Sequence, residues 1–230
     1  MRKILRVFVF AVAAVLLCGQ TAALALQRVP VRVVQMPLTA ERTFQMPSAQ
    51  AVRGIDGRVR SALHAPLSGV LGSVEYVPGG EARQAEDRLK IEKPSYMTAS
   101  YEQQLMWLAQ SLNADFVVMP HLAAYEQYTY MSWNWNRGMM LRSYVAMDLY
   151  IYERTTGKVM KKGASRFYHD EYSAGGTADV LVQECIDSLL ERTKLHEKLW
   201  ARVKAREREK NGANENLQKG LTASRVANIM

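Results

Sequence analysis

Cysteine is nearly absent: the 230 residues hold two, Cys18 and Cys185, so no disulfide framework staples this chain. Histidine is also scarce. His64, His121, His169 and His196 include no HxxxH pair and no second cysteine at zinc spacing, which removes the common metal-site patterns. No GxSxG and no GxxxxGK[ST] occurs, and the glycine pairs in GIDG, VPGGE and SAGGT are expected to lack the strand context a phosphate loop requires. Adjacent carboxylates such as Asp170 and Glu171 lie on consecutive residues, whereas a glycosidase needs two carboxyls facing each other from separate elements. In FYHDEYS, His169, Asp170 and Glu171 alternate across a strand and cannot converge without a bulge. His121 follows Pro120 at a strand end and reads as structural. No catalytic constellation can be assembled, and neither a cofactor nor a metal is expected.

Long apolar runs are missing too. The longest, from Val7 to Leu17, falls short of the roughly 20 residues that span a bilayer. It follows Arg2, Lys3 and Arg6 and precedes Ala23-Leu24-Ala25, the arrangement of a secretory signal cleaved after Ala25. An uncleaved anchor is the alternative. Leu17 stands where a lipoprotein signal carries Gly, Ala or Ser, which argues against acylation of Cys18. Cleavage would leave Cys185 as the one thiol, on the apolar side of VLVQECIDSLL, where a buried inert role is expected. The expected location is the periplasm or the exterior.

The net charge is +8, but it is unevenly placed. Residues 192–210 carry eight basic and three acidic side chains and so account for +5, the signal region supplies the other three, and the remainder is balanced. The basic character thus belongs to a tail. With Leu195, Leu199, Trp200 and Val203 on one side, that tail could lie on an anionic membrane through Lys198, Trp200, Arg202 and Arg206, or simply be a solvated helix end. Nucleic acid is not an expected partner for an exported chain.

Periodicity orders the rest. VPVRVVQMP alternates as a strand near a sheet edge; LTAERTFQMPSAQ reads as a loop; Val52, Ile55, Val59 and Leu63 recur at helical spacing. A short strand follows at Val74 to Val77, and residues 79–96 are charged, poorly periodic and expected to form a solvent-facing connection. Ser100 caps a cleaner helix striped by Tyr101, Leu105, Leu108, Ala109 and Leu112, ended by Asn113. Phe116 to Met119 reads as a strand buried on both faces. LRSYVAMDLYIYE, the turn ERTTGK with Gly157 at positive φ, and VMKKGASRFYHDEY form a long hairpin. Thr177 opens a last helix with Val182, Cys185, Ile186, Leu189 and Leu190 inward, and the sequence beyond Lys210 is expected to be mobile.

The expected fold is α/β (α+β): a mixed central sheet of about five strands with a C-terminal antiparallel hairpin, helices packed on it, and a basic helical tail. The expected divisions are 1–25 as signal, 26–192 as one domain, and 193–230 as basic extension and mobile tail. Three segments, SLNADFVVMPHLAAYE, SYVAMDLYIYERTTGKVMKKGASRF and the helix after GGTAD, resemble the small periplasmic domain of the TolB amino-terminal and CsgG-like envelope proteins. In that family an Ala-Asp-Tyr/Phe-Val-Val strand precedes a Leu-Tyr-Asp-x-x-Thr-Gly-Lys-Val hairpin; here these are Ala114 to Val118 and Leu149 to Val159. The resemblance covers about residues 29–192. It implies a non-enzymatic domain working through protein contacts. The first strand meets the family's Val-Ala-Val-Leu-Pro-Phe only in outline, and the lipoprotein signal, the aromatic stretch at 125–140 and the basic tail depart from its pattern.

That aromatic stretch, YTYMSWNWNRGMM, is the strongest binding candidate. If it is the tip of a hairpin, Tyr128, Tyr130, Trp133, Asn134, Trp135, Asn136 and Arg137 stand far from any core and present aromatic area to a partner. The partner is then an envelope protein or a second copy. A carbohydrate- or peptidoglycan-binding module is the alternative, with Tyr130, Trp133 and Trp135 stacking on sugar faces and Asn134 and Asn136 reading hydroxyls. A secreted hydrolase comes third. The tryptophans could also fold down as packing.

Overall fold

The computed structural model describes residues 30–41, 45–65, 72–133 and 138–227. The expected signal segment with Cys18, and Asn134, Trp135, Asn136 and Arg137 of the candidate site, lie outside the described residues.

The sheet is built outward from β1 (Val31–Gln35), whose alternation sends Val31 and Val33 into one apolar core and Val34 into another on the opposite face. Helix α1 (Ala49–Ala62) starts at Ser48, whose hydroxyl accepts a hydrogen bond from the Ala51 amide, and buries Ile55 and Val59 on the first face. Strand β3 (Val74–Tyr76) returns parallel beside β1, as the apolar run around Val74 predicts. Between them in sequence, β2 (Thr39–Ala40) adds two parallel residues to β4 inside the stretch expected to be a loop.

Residues 79–96 correct the sequence reading. They hold helix α2 (Gly79–Glu92) and a 3-10 turn (Pro94–Thr98), not a solvent-facing connection. The stripe of α2 is Ala82, Ala85 and Leu89, all buried against the second face. Two of the three are alanines, so the apolar signal is weak although the helix propensity is high. Helix α3 (Tyr101–Ser111) then covers the same face with Leu105, Leu108 and Ala109, capped by Ser100 and terminated by Asn113 at φ 51.

Strands β4 (Phe116–Met131), β5 (Met139–Glu153) and β6 (Lys158–Glu171) form a long antiparallel arm, joined at its near end by the turn containing Gly157 at φ 64. The full order is β3-β1-β4-β5-β6 with β2 also on β4, a mixed sheet of six strands. Helix α4 (Ala178–Thr193) packs beside α1 on the first face, and Lys194, left-handed at φ 49, separates it from α5 (Leu195–Ala227). Leu195, Leu199 and Val203 of α5 belong to the same core as α1 and α4, so the segment beginning at 193 starts inside the packed protein. The helical extension expected from residue 193 runs on past Lys210 to Ala227. Extending an established helix fixes one residue per hydrogen bond gained, and Gln, Leu, Lys, Ala and Arg there are good helix formers.

Candidate interaction surface on the hairpin arm

One extra residue aims the arm's aromatic side chains. Up to Leu122, even-numbered residues of β4 point to the first face; the register then shifts between Leu122 and Ala124. Past that bulge the parity is reversed. Tyr125 packs in the first core while Tyr128 and Tyr130 turn to the second face. Helices α2 and α3 cover only the near end of that face, around Tyr150 and Tyr152, and leave its far end open.

The open end is a grid fixed by register. Glu126 sits beside Tyr144 and Phe167, Tyr128 beside Arg142 and His169, and Tyr130 beside Met140 and Glu171. Phe167 is 58% exposed and Tyr128 53%, with Tyr130 and Tyr144 also exposed. Within the grid the Tyr130 hydroxyl lies 2.6 Å from His169 Nε2, and the Arg142 guanidinium stands 5.8 Å over the Phe167 ring. These contacts order the surface without burying it. At the tip, Trp133 is 99% exposed, and the Ser132 amide reaches the Gly138 carbonyl at 3.4 Å across the closing strands.

The described candidate residues Tyr128, Tyr130 and Trp133 therefore share an arm. Sequence reading missed Arg142, Tyr144, Phe167 and His169. The signal was present as strand parity, which sets Arg142 and Tyr144 on one side of β5, but the partner register of β6 is set by the turn and cannot be read from either strand alone.

The opposite face of the arm is anchored. Gln127 accepts the Ala178 amide at the start of α4, a position where Thr177 makes no side-chain cap. The Tyr125 hydroxyl donates to Asp179 at 2.7 Å, and the Ser48 amide donates to the same oxygen at 3.1 Å. Burial draws the Asp179 carboxyl upward, but the hydrogen bonds from Ser48 and Tyr125 outweigh it and hold the group below its ordinary value. Burial, reinforced by Asp179, pushes the Tyr125 phenol well up.

The tail residues are placed differently from one another. Arg202 and Arg206, with side chains only 19% and 23% exposed, turn toward buried Asp115 at 3.6 and 2.9 Å. Asp115 also accepts the Arg32 amide at 3.0 Å. Lys198 reaches Met160 Sδ at 3.5 Å, and the half-buried Trp200 donates to His196 at 2.9 Å. His121 is buried against Tyr101, with ring centroids 4.6 Å apart. Cys185 lies in the core and its thiol is pushed up to about 11 by burial. Among the described residues, no group of three or more His, Cys, Asp and Glu side chains is arranged to hold a metal ion, and no helix is long and apolar enough to cross a membrane.

The molecule is thus an α/β protein with a mixed sheet, a core on each face, and an aromatic arm extending past one of them. No family model matches the sequence, and no curated protein matches it. Among solved structures, a PelC dodecamer from Paraburkholderia phytofirmans is similar at 13% identity over 72% of this chain and 89% of that one, with a TM-score of 0.34. Lipoprotein GNA1162 from Neisseria meningitidis is similar at 17% identity over 70% and 99%, with a TM-score of 0.36. The LpoB C-terminal domain from Salmonella enterica is similar at 13% over 60% and 83%, with a TM-score of 0.33. At these values the site rests on its own geometry.

Proposed function

We propose that this is an exported cell-envelope protein that acts by protein contact, through the aromatic face and tip of the β4–β5–β6 arm. The observation that carries the reading is Trp133, fully exposed at the end of an arm whose open face adds Tyr128, Tyr130, Tyr144 and Phe167. Aromatic side chains bury large area at small entropic cost, and a contiguous exposed group of them marks a recognition surface. Export is supported by the basic, apolar and small-residue order of the first 25 residues. Kinship with the TolB amino-terminal and CsgG-like proteins is supported by the motifs at Ala114 to Val118 and Leu149 to Val159. The occupant is an envelope protein or a second copy of this chain.

The test is in-cell photo-crosslinking from positions 133 and 167, with a stability measurement on Trp133→Ala. A discrete protein adduct from both positions is expected. Because Trp133 is 99% exposed, the substitution should stay within about 0.5 kcal/mol of wild-type stability while the adduct is lost. Absence of an adduct together with depletion of the protein by peptidoglycan would transfer the surface to glycan binding. A destabilisation of several kcal/mol would return Trp133 to the core.

A further inference from the structure

The sheet ends on a strand whose outer edge the aromatic face does not use. Among the described residues, β6 pairs with β5 on one side and with no strand on the other. It runs for 14 residues without a proline and without a register shift against β5. A long, unbulged edge is a template for another strand, and proteins that keep such edges apart shorten them, bend them or stud them with lysines.

The register shows which backbone groups face outward. The Tyr172 amide donates to the Met139 carbonyl at 2.8 Å, so by alternation the even-numbered residues of β6 turn their amides and carbonyls to β5. The odd-numbered residues turn theirs to the free edge. Side chains agree with that parity: Arg192 donates to the Gly163 carbonyl at 3.2 Å, Arg166 to the Ser165 carbonyl at 3.1 Å, and the Tyr168 hydroxyl to the Glu171 carbonyl at 2.8 Å. These are exposed contacts that a strand amide can replace. The amides of Lys161, Gly163, Ser165, Phe167 and His169 have no acceptor among the described residues, and a neighbouring strand would supply one.

Charge along this edge is divided by sign. Lys158, Lys161 and Lys162 stand at the end near the turn, and Asp170 and Glu171 at the end near the tip. Lysines spread along the whole edge would repel every approaching copy, whereas a divided edge repels a parallel copy and matches an antiparallel one. Lys162 and Asp170 are both exposed, and neither makes an ion pair among the described residues.

We propose that two copies of this chain pair through β6, antiparallel about a two-fold axis at Arg166, so that the sheet continues from one copy into the other. An axis at Arg166 sets Lys162 opposite Asp170 of the second copy and Lys161 opposite its Glu171, and symmetry repeats both pairs. Ser165 then faces Phe167 of the second copy, and both carry outward amides and carbonyls, so they exchange hydrogen bonds. The two arginines at the axis do not meet uncompensated, because each lies 3.4 Å from Glu184 of its own chain. Phe167, 58% exposed on the open second face, stands diagonal to its own copy, within reach of an aromatic contact. The pairing rests on the backbone edge, and it holds whether or not the aromatic face and Trp133 take a further partner.

Sedimentation velocity over a concentration series tests the pairing, with Trp133 left intact in every variant. Wild type is expected to dimerise, and Lys162→Glu to weaken the dimer about tenfold or more by setting like charges opposite each other at two symmetric positions. Lys162→Glu combined with Asp170→Lys exchanges the charges and should restore the dimer, which a misfolded variant could not do. The axis is tested by oxidation: Arg166→Cys should link two copies, whereas Lys162→Cys should not, since its copy lies roughly 26 Å away along the strands. Cys185 is buried and does not compete. A monomer at every concentration, a dimer indifferent to Lys162→Glu, or linkage through Lys162→Cys as readily as through Arg166→Cys overturns the proposal.

Discussion

Asp115 shows how a single carboxylate can tie together segments distant in sequence. It sits at the mouth of β4, almost wholly buried, and holds the Arg32 amide from β1 and the guanidinium groups of Arg202 and Arg206 from α5. Removing one member of a buried ion network leaves the others charged and unpaired. Asp115→Ala is therefore expected to cost about 3 kcal/mol, measured by chemical denaturation, with the arginines' partial exposure keeping the figure at the low end. Asp179 makes a pH-dependent counterpart on the arm. Its carboxyl is held below its ordinary value of 3.8, so the stability it contributes is present above that value and is lost as pH falls through the folded value. The melting-temperature gap between wild type and Asp179→Asn should accordingly be widest near neutral pH and close as the solution is acidified below 3.8. A gap that does not vary with pH would mean that the carboxylate charge at Asp179 adds nothing. Asp115 lies inside the legible Ala114 to Val118 segment, but Asp115 and Asp179 take partners 83 and 131 residues away.

Element by element, strong amphipathic patterns were legible and weak ones were not. Helix α3 was readable because Leu105 and Leu108 are large and Ser100 caps it; α2 escaped because alanine carries its stripe. The basic tail divides along its own length. Its first turns bury Leu195, Leu199 and Val203, each worth about 2 kcal/mol of apolar burial. A chain ended at Thr193 should therefore lose roughly 6 kcal/mol, enough to abolish a cooperative thermal transition in many small domains. A chain ended after Glu209, which keeps those three residues and both arginines, should melt close to the full-length protein. Equal melting of all three would remove α5 from the core. The bulge in β4 is the other element-scale decision. Without it Tyr128 and Tyr130 would turn to the first face rather than the open second one, and no residue type in LAAY announces it.

Across the molecule, the two cores are not independent, because the same strands feed both. Phe116 and Val118 face one, Val117 and Met119 the other, and β5 does likewise with Leu149 and Tyr150. Loss of either core strips one face from every central strand, so both should melt together. Cys185 reports on the first face, since burial pushes its thiol up to about 11 and shields it from alkylation. Amide exchange at Leu105 and Leu108 reports on the second. The two probes should give one denaturation midpoint; separated midpoints would divide the protein into two folding units.

By itself the sequence determined the α/β class, the long hairpin, the turn at Gly157, the burial of Phe116 to Met119 and the concentration of aromatics near Trp133. Each follows from local periodicity, capping or turn chemistry, which act between residues close along the chain. Only the tertiary structure decided which face those aromatics occupy, that Arg202 and Arg206 turn inward to Asp115, and that β6 forms an edge of the sheet. Those outcomes depend on strand order, on a one-residue register shift and on charge pairing across some 90 residues, such as the 91 between Asp115 and Arg206. Local pattern carries no information about such pairings, because their free energy is gained only when the separate elements meet.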